Sequence, residues 1–354
     1  ELLVNMSNDI YTPALPSIMI DLNTNQHLVQ LTITLWFAGT VLMNPILGAL
    51  SDKHGRKKIL LLNGGLFILA TLYCGMSHNI LLFNVARFVQ GVTVTSIIVC
   101  GYALIHEVYD NKQAIMLLAW MSGLLVIAPM IGPLIGAYII SFLGWRSVFY
   151  FLVFLSTIAL INLAICMPNK SVNNEDSAQN IYEIIKTYKA ILSDYYFLLG
   201  SFTAGVLFAG VIVWITASPF LIISEYQYSI VAFGIMQIPI FASYIIGIQL
   251  LKLFLKLNFN EDRIIFIGLL LILSIAIIFI ILTITEIINI YLLTALICAY
   301  CFCFGLTFSP LSRITVASLS YGMGKKMAMF DFVFSLLGTM GAVVVNILQK
   351  SQNM

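Results

Sequence analysis

Gly48-Ala49-Leu50-Ser51-Asp52-Lys53-His54-Gly55-Arg56-Lys57-Lys58 packs five charged side chains between two long uncharged runs, residues 22–51 and 59–86. Each run is longer than the ~17–25 apolar residues that a helix needs to cross the hydrocarbon of a bilayer, so this stretch reads as a tight polar loop between two spans. The rhythm continues outward from it. Counting His as neutral, uncharged runs recur at 88–106, 113–145, 147–169, 195–224, 226–251, 264–285, 287–312 and 332–349. Residues 1–20, whose only charges are Glu1 and Asp9, add an eleventh segment.

Composition agrees with that pattern. Charged residues make up 9% of the 354 and hydrophobic ones 61%, against roughly 25% charged in soluble proteins. So few charges cannot clothe a water-soluble surface of this size, which excludes a soluble fold. Outer-membrane strands would alternate in polarity over runs of about ten residues, whereas Leu60–Leu72 and Ile264–Leu282 are apolar on nearly every side. The expected fold class is an all-α integral membrane protein.

Orientation follows from the basic residues. Alternate loops, at 51–58, 106–112, 168–190, 252–263 and 313–326, hold 14 of the 17 Lys and Arg, while the intervening loops hold only Arg146. Basic loops stay in the cytoplasm, so the first segment runs outward. The longest polar stretch, 168–190, follows six spans and reads as a linker, with 180–193 as an amphipathic helix on the cytoplasmic face. The expected division is 1–167 as an N-terminal six-helix bundle, 168–193 as a cytoplasmic linker and 194–354 as a C-terminal bundle. The chain opens on Glu and stops just after its eleventh apolar segment, so it is read as a piece of a longer protein whose last helix lies beyond residue 354. The net charge of +2 points to no nucleic acid. The six Cys sit in or beside apolar spans and are expected to be small hydrophobes, with no metal site. No nucleophile–base pair marks an enzyme.

Several motifs carry chemistry. In the opening loop, Gly48 permits close helix approach, Asp52 suits a helix cap or a basic partner, Gly55 suits a turn, and Arg56 presents a planar fork for a carboxylate or a helix C-terminus. In the fourth span, Arg87 and Gln90 lie one turn apart in Ala86-Arg87-Phe88-Val89-Gln90-Gly91. An arginine there needs a partner in the bundle interior, unless it snorkels to the outer interface. In the fifth, Ala128, Gly132 and Gly136 recur every four residues and make a smooth contact face, while Pro129 and Pro133 bend the helix. In the first, Glu1 and Asp9 are eight residues apart and share a face with Asn5. Two carboxyls on a buried stripe suit proton exchange, since burial favours the protonated form of a carboxyl and a nearby cation favours the charged one. Asp9 in a mere turn near the outer surface is the alternative. Asp331, near the start of the last segment, would either line a cavity and meet a cationic substrate or a second proton, or sit solvated at the cytoplasmic mouth.

The opening loop fits G-x-L-x-D-[RK]-x-G-R-[RK] and resembles the signature loop of the major facilitator superfamily. Arg87-x-x-Gln90-Gly91 resembles that family's motif in proton-coupled members, and Ala128-Pro129…Gly132-Pro133…Gly136 its antiporter motif, with Ala128 in the usual place of Gly. Together with Asn8-Asp9, Gly101-Tyr102, Ser218-Pro219 and Gln237-x-Pro239, these identify the chain as similar to the Bcr/CflA-type drug:proton antiporters of bacterial inner membranes. The resemblance implies two pseudo-symmetric six-helix bundles around a cavity, with about eleven of twelve helices present. It also implies proton-driven export of drugs or other lipophilic or cationic small molecules by alternating access, without a cofactor, by a monomer. Glu1, Asp9, Arg87 and Gln90 would couple protons to substrate, in part through an Asp9–Arg87 contact. Tyr102, Met121 and Leu125 would line the substrate cavity, with Asn5 and Asn8 beside them and Asp331, which stands where the family has an uncharged polar residue, as a further candidate; Gly48, Asp52, Gly55 and Arg56 would form a cytoplasmic latch. Asn5 stands where the related pattern has an aromatic, and Leu125 replaces a smaller residue, so the cavity shape is expected to differ. An exporter of one metabolite or siderophore shares all these features; a non-transporting sensor fits them less well.

Overall fold

The computed structural model describes residues 2–108, 111–167, 181–318, 321 and 323–352. Helices dominate it, and no strand occurs among the described residues. The N-terminal part comprises α1 (Leu2–Asp9), α2 (Leu15–Asp21), α3 (Gln26–His54), α4 (Arg56–Met76), α5 (Ile80–Val108), α6 (Asn111–Leu143) and α7 (Arg146–Cys166). After α8 (Ile181–Leu192) come α9 (Tyr195–Pro219), α10 (Ile230–Lys256), α11 (Glu261–Ile284), α12 (Ile290–Ala317) and α13 (Met323–Gln352). By length and composition α4, α5, α7, α9 with the π turn that extends it, and α10 to α13 can each cross a membrane. The 29-residue α3, the 33-residue α6 and the α1–α2 segment supply the remaining spans.

Local chemistry sets the boundaries. Asn25, Asp194, Ser229, Asn260 and Asn289 each sit in extended backbone and accept a hydrogen bond from an amide in the first turn of α3, α9, α10, α11 or α12, which satisfies a donor that the helix itself cannot. Between α3 and α4 the chain turns at Gly55 with φ +88, a left-handed conformation that disfavours any residue with a Cβ. The first span is not one helix. It breaks after Asp9, where a 3-10 turn at Thr12–Ala14 carries Pro13, and Pro16 opens α2.

Each bundle is held by a matching close crossing. A Cβ on Gly91 of α5 would lie 1.9 Å from the Trp36 carbonyl oxygen of α3, and one on Gly39 of α3 would lie 2.4 Å from the Phe88 carbonyl of α5. In the C-terminal bundle a Cβ on Gly247 of α10 would lie 2.2 Å from the Phe302 carbonyl, and one on Gly305 of α12 would lie 2.2 Å from that of Tyr244. The same reciprocal glycine contact thus recurs in both halves. The buried apolar side chains likewise divide into two large clusters, one drawn mostly from residues 4–152 and the other from 191–330. Outermost lies α11, whose buried residues form the single stripe Ile264, Gly268 and Ile272.

The halves meet through α3 against α13 and α6 against α10. Their polar contacts lie toward the start of α3 and the end of α13: Gln30 Nε2 donates to the Thr216 carbonyl (3.1 Å) and Asn346 Nδ2 to Thr34 Oγ1 (2.8 Å), while a Cβ on Gly234 would lie 2.8 Å from Leu134 Cα. Asp331, Gly338 and Ala342 share one face of α13, being seven and eleven residues apart. Ala342 is buried within the N-terminal cluster. Asp331 is exposed, although it lies opposite the lipid-facing Leu336, Met340 and Val344. The bundles are therefore closed together at the end marked by Gln30 and Asn346 and apart near the Asp331 end of α13.

At the end of α2, Asp21 pairs with Arg146, accepts from Trp145 Nε1 at 3.2 Å, and through Arg146 reaches the Ser77 carbonyl at 3.2 Å. The Arg146 hydrogen bond lowers the Asp21 pKa from 3.8. The ionised form is thus the stabilising one, and its contribution is lost as pH falls through the lowered value. Asp21→Asn should cost under about 1 kcal/mol near pH 7, because the pair is partly exposed, and thermal unfolding should show the gap to wild type closing below pH 3.8. Gly91→Ala should lower stability by about 1–3 kcal/mol, whereas Gly65→Ala, with nothing within 4 Å of the new Cβ, should leave thermal unfolding unchanged or slightly raised.

Candidate functional site

Arg87 is fully buried. Burial inside a membrane bundle demands partners for its donors, and the break in the first span provides them. Nη1 donates to the Ser7 carbonyl (3.1 Å) and to Gln90 Oε1 (2.7 Å), and Nη2 donates to Asn8 Oδ1 (3.0 Å). The guanidinium carbon lies 4.2 Å above the centre of the Tyr11 ring, a cation–π geometry. Tyr11 and Thr32 share a hydroxyl hydrogen bond of 2.7 Å, and Gln90 Nε2 donates to Thr71 Oγ1 at 2.7 Å. Arg87 Nε has no hydrogen-bond partner among the described residues. The bundle interior, rather than the outer interface, therefore holds Arg87. Gln90 shares its network, as the one-turn spacing predicts.

Asp9 is buried beside this network but makes no ion pair with Arg87, contrary to expectation. The guanidinium is committed to Asn8, Ser7 and Gln90, and Asn8 stands between the two charges, its Nδ2 at 3.5 Å from Asp9 Oδ1. The Asp9 carbonyl accepts from Thr12 Oγ1 at 2.7 Å, which closes the break. Against it packs the small-residue face of α6. A Cβ on Gly132 would lie 3.3 Å from Asp9 Cβ, and one on Gly136 would lie 1.7 Å from the Ile10 carbonyl oxygen. Ala128 is buried on the same helix, with Pro129 and Pro133 placed between the small residues. The motif thus places α6 directly against the break that carries Asp9.

The other candidates are more dispersed. Met121 is half-buried on the α6 face that carries Gly132, eleven residues away, and Asn5 is half-buried one turn before Asp9. Asp331 stands apart from the Arg87 network, on α13. Glu1 lies outside the described residues, and so do the side chains of Tyr102, Leu125 and Asp52 together with the surroundings of Gly48. In the loop between α3 and α4, Gly55 makes the turn and Arg56 opens α4. Next to it, Lys57 Nζ donates to the Met167 carbonyl at the end of α7 (2.6 Å). A cation at a helix C-terminus is favourable.

Sequence reasoning missed Tyr11, Thr32, Thr71 and the Ser7 carbonyl. Tyr11 carried a usable signal, an aromatic two residues from Asp9 in a proline-broken segment. Thr32 and Thr71 carried none, because their roles depend on how α3 and α4 pack on α5. Arg87→Lys keeps the charge but cannot span Asn8, Ser7 and Gln90 at once. Thermal unfolding of the purified chain should fall by about 2–4 kcal/mol, against under about 1.5 kcal/mol for Thr71→Val, which removes one hydrogen bond.

The Major Facilitator Superfamily profile matches residues 1–342. The multidrug transporter MdfA of Yersinia pestis bv. Antiqua (strain Angola) is 31% identical over 242 residues, covering 68% of this chain and 59% of that protein. MdfA of Escherichia coli O6:H1 is 30% identical over 246 residues, 70% and 60% of the two chains. The multidrug resistance protein MdtM of Salmonella typhimurium is 27% identical over 242 residues, 68% and 58%. The chain spans about three fifths of the length of these curated relatives. Among solved structures, the nucleoside transporter NupG aligns with a TM-score of 0.71 at 14% identity over 97% of this chain and 88% of that one. A bacterial Spinster homologue in an inward-facing, occupied conformation aligns with a TM-score of 0.73 at 15% identity over 96% and 78%. Profile, relatives and fold agree, and this multi-pass membrane protein belongs to the major facilitator superfamily.

Proposed function

We propose that the chain is the greater part of a proton-coupled antiporter that exports lipophilic or cationic small molecules across the bacterial inner membrane as a monomer, and that it catalyses no reaction. The observation that carries this reading is Asp9, a buried carboxyl with no ion pair among the described residues, set at a helix break beside a fully buried arginine. Such a group exchanges a proton for a cation at modest cost, because Arg87 is already held by Asn8, Ser7 and Gln90 and is not left unpaired when Asp9 is neutralised. In the proposed cycle a substrate cation enters the cytoplasm-facing opening and meets the ionised Asp9. The bundles rock and the external contacts at Gln30–Thr216 and Thr34–Asn346 part. A proton from outside then takes the carboxylate and the substrate leaves. Residues 1–167 and 194–354 are the proposed rocking units and 168–193 their link. Glu1 would assist Asp9, with Asn5, Tyr102, Met121 and Leu125 around the substrate. The loop of Gly48, Asp52, Gly55 and Arg56 would latch the cytoplasmic side when the transporter faces outward, and Gly132 and Gly136 would hold α6 against the coupling site. The names of the MdfA and MdtM relatives favour drugs as cargo.

In inverted vesicles energised to be acidic inside, the wild type should accumulate ethidium and lose that uptake on addition of an uncoupler. Asp9→Asn should reduce uptake at least about tenfold; dye accumulation at the wild-type rate would reject Asp9 as the coupling group.

A further inference from the structure

Asp331 lies about 12 Å along α13 from its start at Met323. It is exposed, on the face that farther along the helix packs into the N-terminal bundle. Its carboxylate therefore opens on the cleft between the bundles and not on lipid. Lys325 and Lys326 are turned about 140–120° away around the helix, and no ion pair to Asp331 occurs among the described residues. Beside it runs a wall of rings. Phe334, three residues on, is its neighbour on the helix surface. Phe334 stacks on Phe208 of α9 at 4.3 Å between centroids and lies 5.2 Å from Phe308 of α12. Phe208 in turn meets Phe37 of α3, in the opposite bundle, at 6.2 Å. Phe208, Phe308 and Phe334 are only partly buried.

A carboxylate bordered by aromatic faces, reachable from one side of the membrane, matches one ligand chemistry. The negative charge and the ring quadrupoles both attract a cation, while the rings bury apolar surface. We propose that Asp331, with Phe334, Phe208 and Phe308, forms a cytoplasm-facing binding site for lipophilic aromatic cations in the C-terminal bundle, separate from Asp9. The site deepens the export function proposed above and rests on it for its physiological meaning. It loads cations before they reach Asp9 and gives charged cargo an advantage over neutral cargo of the same shape.

Binding to the purified chain without any gradient tests the site independently of proton coupling. Calorimetric titration would compare tetraphenylphosphonium with the uncharged triphenylphosphine oxide, in the wild-type and Asp9→Asn backgrounds. Asp331→Asn should weaken the cation about tenfold in both backgrounds and the neutral probe less than about twofold. Asp331→Glu should restore most of the cation affinity, and Phe334→Leu should weaken the cation about threefold. Unchanged cation binding in Asp331→Asn, parallel weakening of both probes, or no cation binding by the wild type overturns the proposal. Failure of energised ethidium uptake alongside the expected binding pattern would reject the antiport reading while leaving this site standing.

Discussion

A guanidinium sealed from solvent in a membrane bundle must find its hydrogen bonds in the protein, and much of the N-terminal half is arranged to meet the demand of Arg87. A continuous helix would spend the Ser7 carbonyl within its own ladder. Because α1 stops at Asp9, that carbonyl and the Asn8 side chain face α5 instead. The broken segment in turn needs a close neighbour, and Gly132 and Gly136 let α6 come within backbone contact of Asp9 and Ile10. Gly39 and Gly91 bring α3 against α5, and with it Thr32 toward Tyr11. Arginine, broken helix and four close-packed glycines form one interlocked unit.

The two bundles share a scaffold and differ in their charges. The α10–α12 crossing repeats the α3–α5 crossing glycine for glycine, so the packing rule is common to both halves. The C-terminal bundle has no buried arginine to satisfy. Its interior is aromatic, a chain of rings from Tyr244 through Phe304, Phe308 and Phe334 to Phe208, and its acid, Asp331, faces the cleft. Asp9 and Asp331 are chemically alike but occupy opposite environments, one closed in by α6 and the other open.

Where residue type alone carries the physics, the sequence was easily read. The helical spans, the amphipathic helix at 180–193 that forms α8 and the Gly55 turn follow from charge spacing, amphipathic period and the glycine requirement of a left-handed turn. The small-residue face of α6 was legible as a contact face from its four-residue period. The break after Asp9 was harder, since Pro13 and Pro16 mark it but do not say which carbonyl is released. The Asp9–Arg87 contact that the family resemblance implies is not a direct ion pair in this structure, because Asn8 sits between the two side chains and bonds both.

The amino-acid sequence determined that the chain crosses a bilayer repeatedly, because transfer energies depend on composition and order alone. Only the tertiary structure decided that Arg87 is satisfied by Asn8, Ser7 and Gln90, that Lys57 reaches the end of α7, and that the cleft opens toward the Asp331 end of α13. Each of these depends on distances between helices far apart in the chain, and those distances are set by where glycine lets two backbones touch.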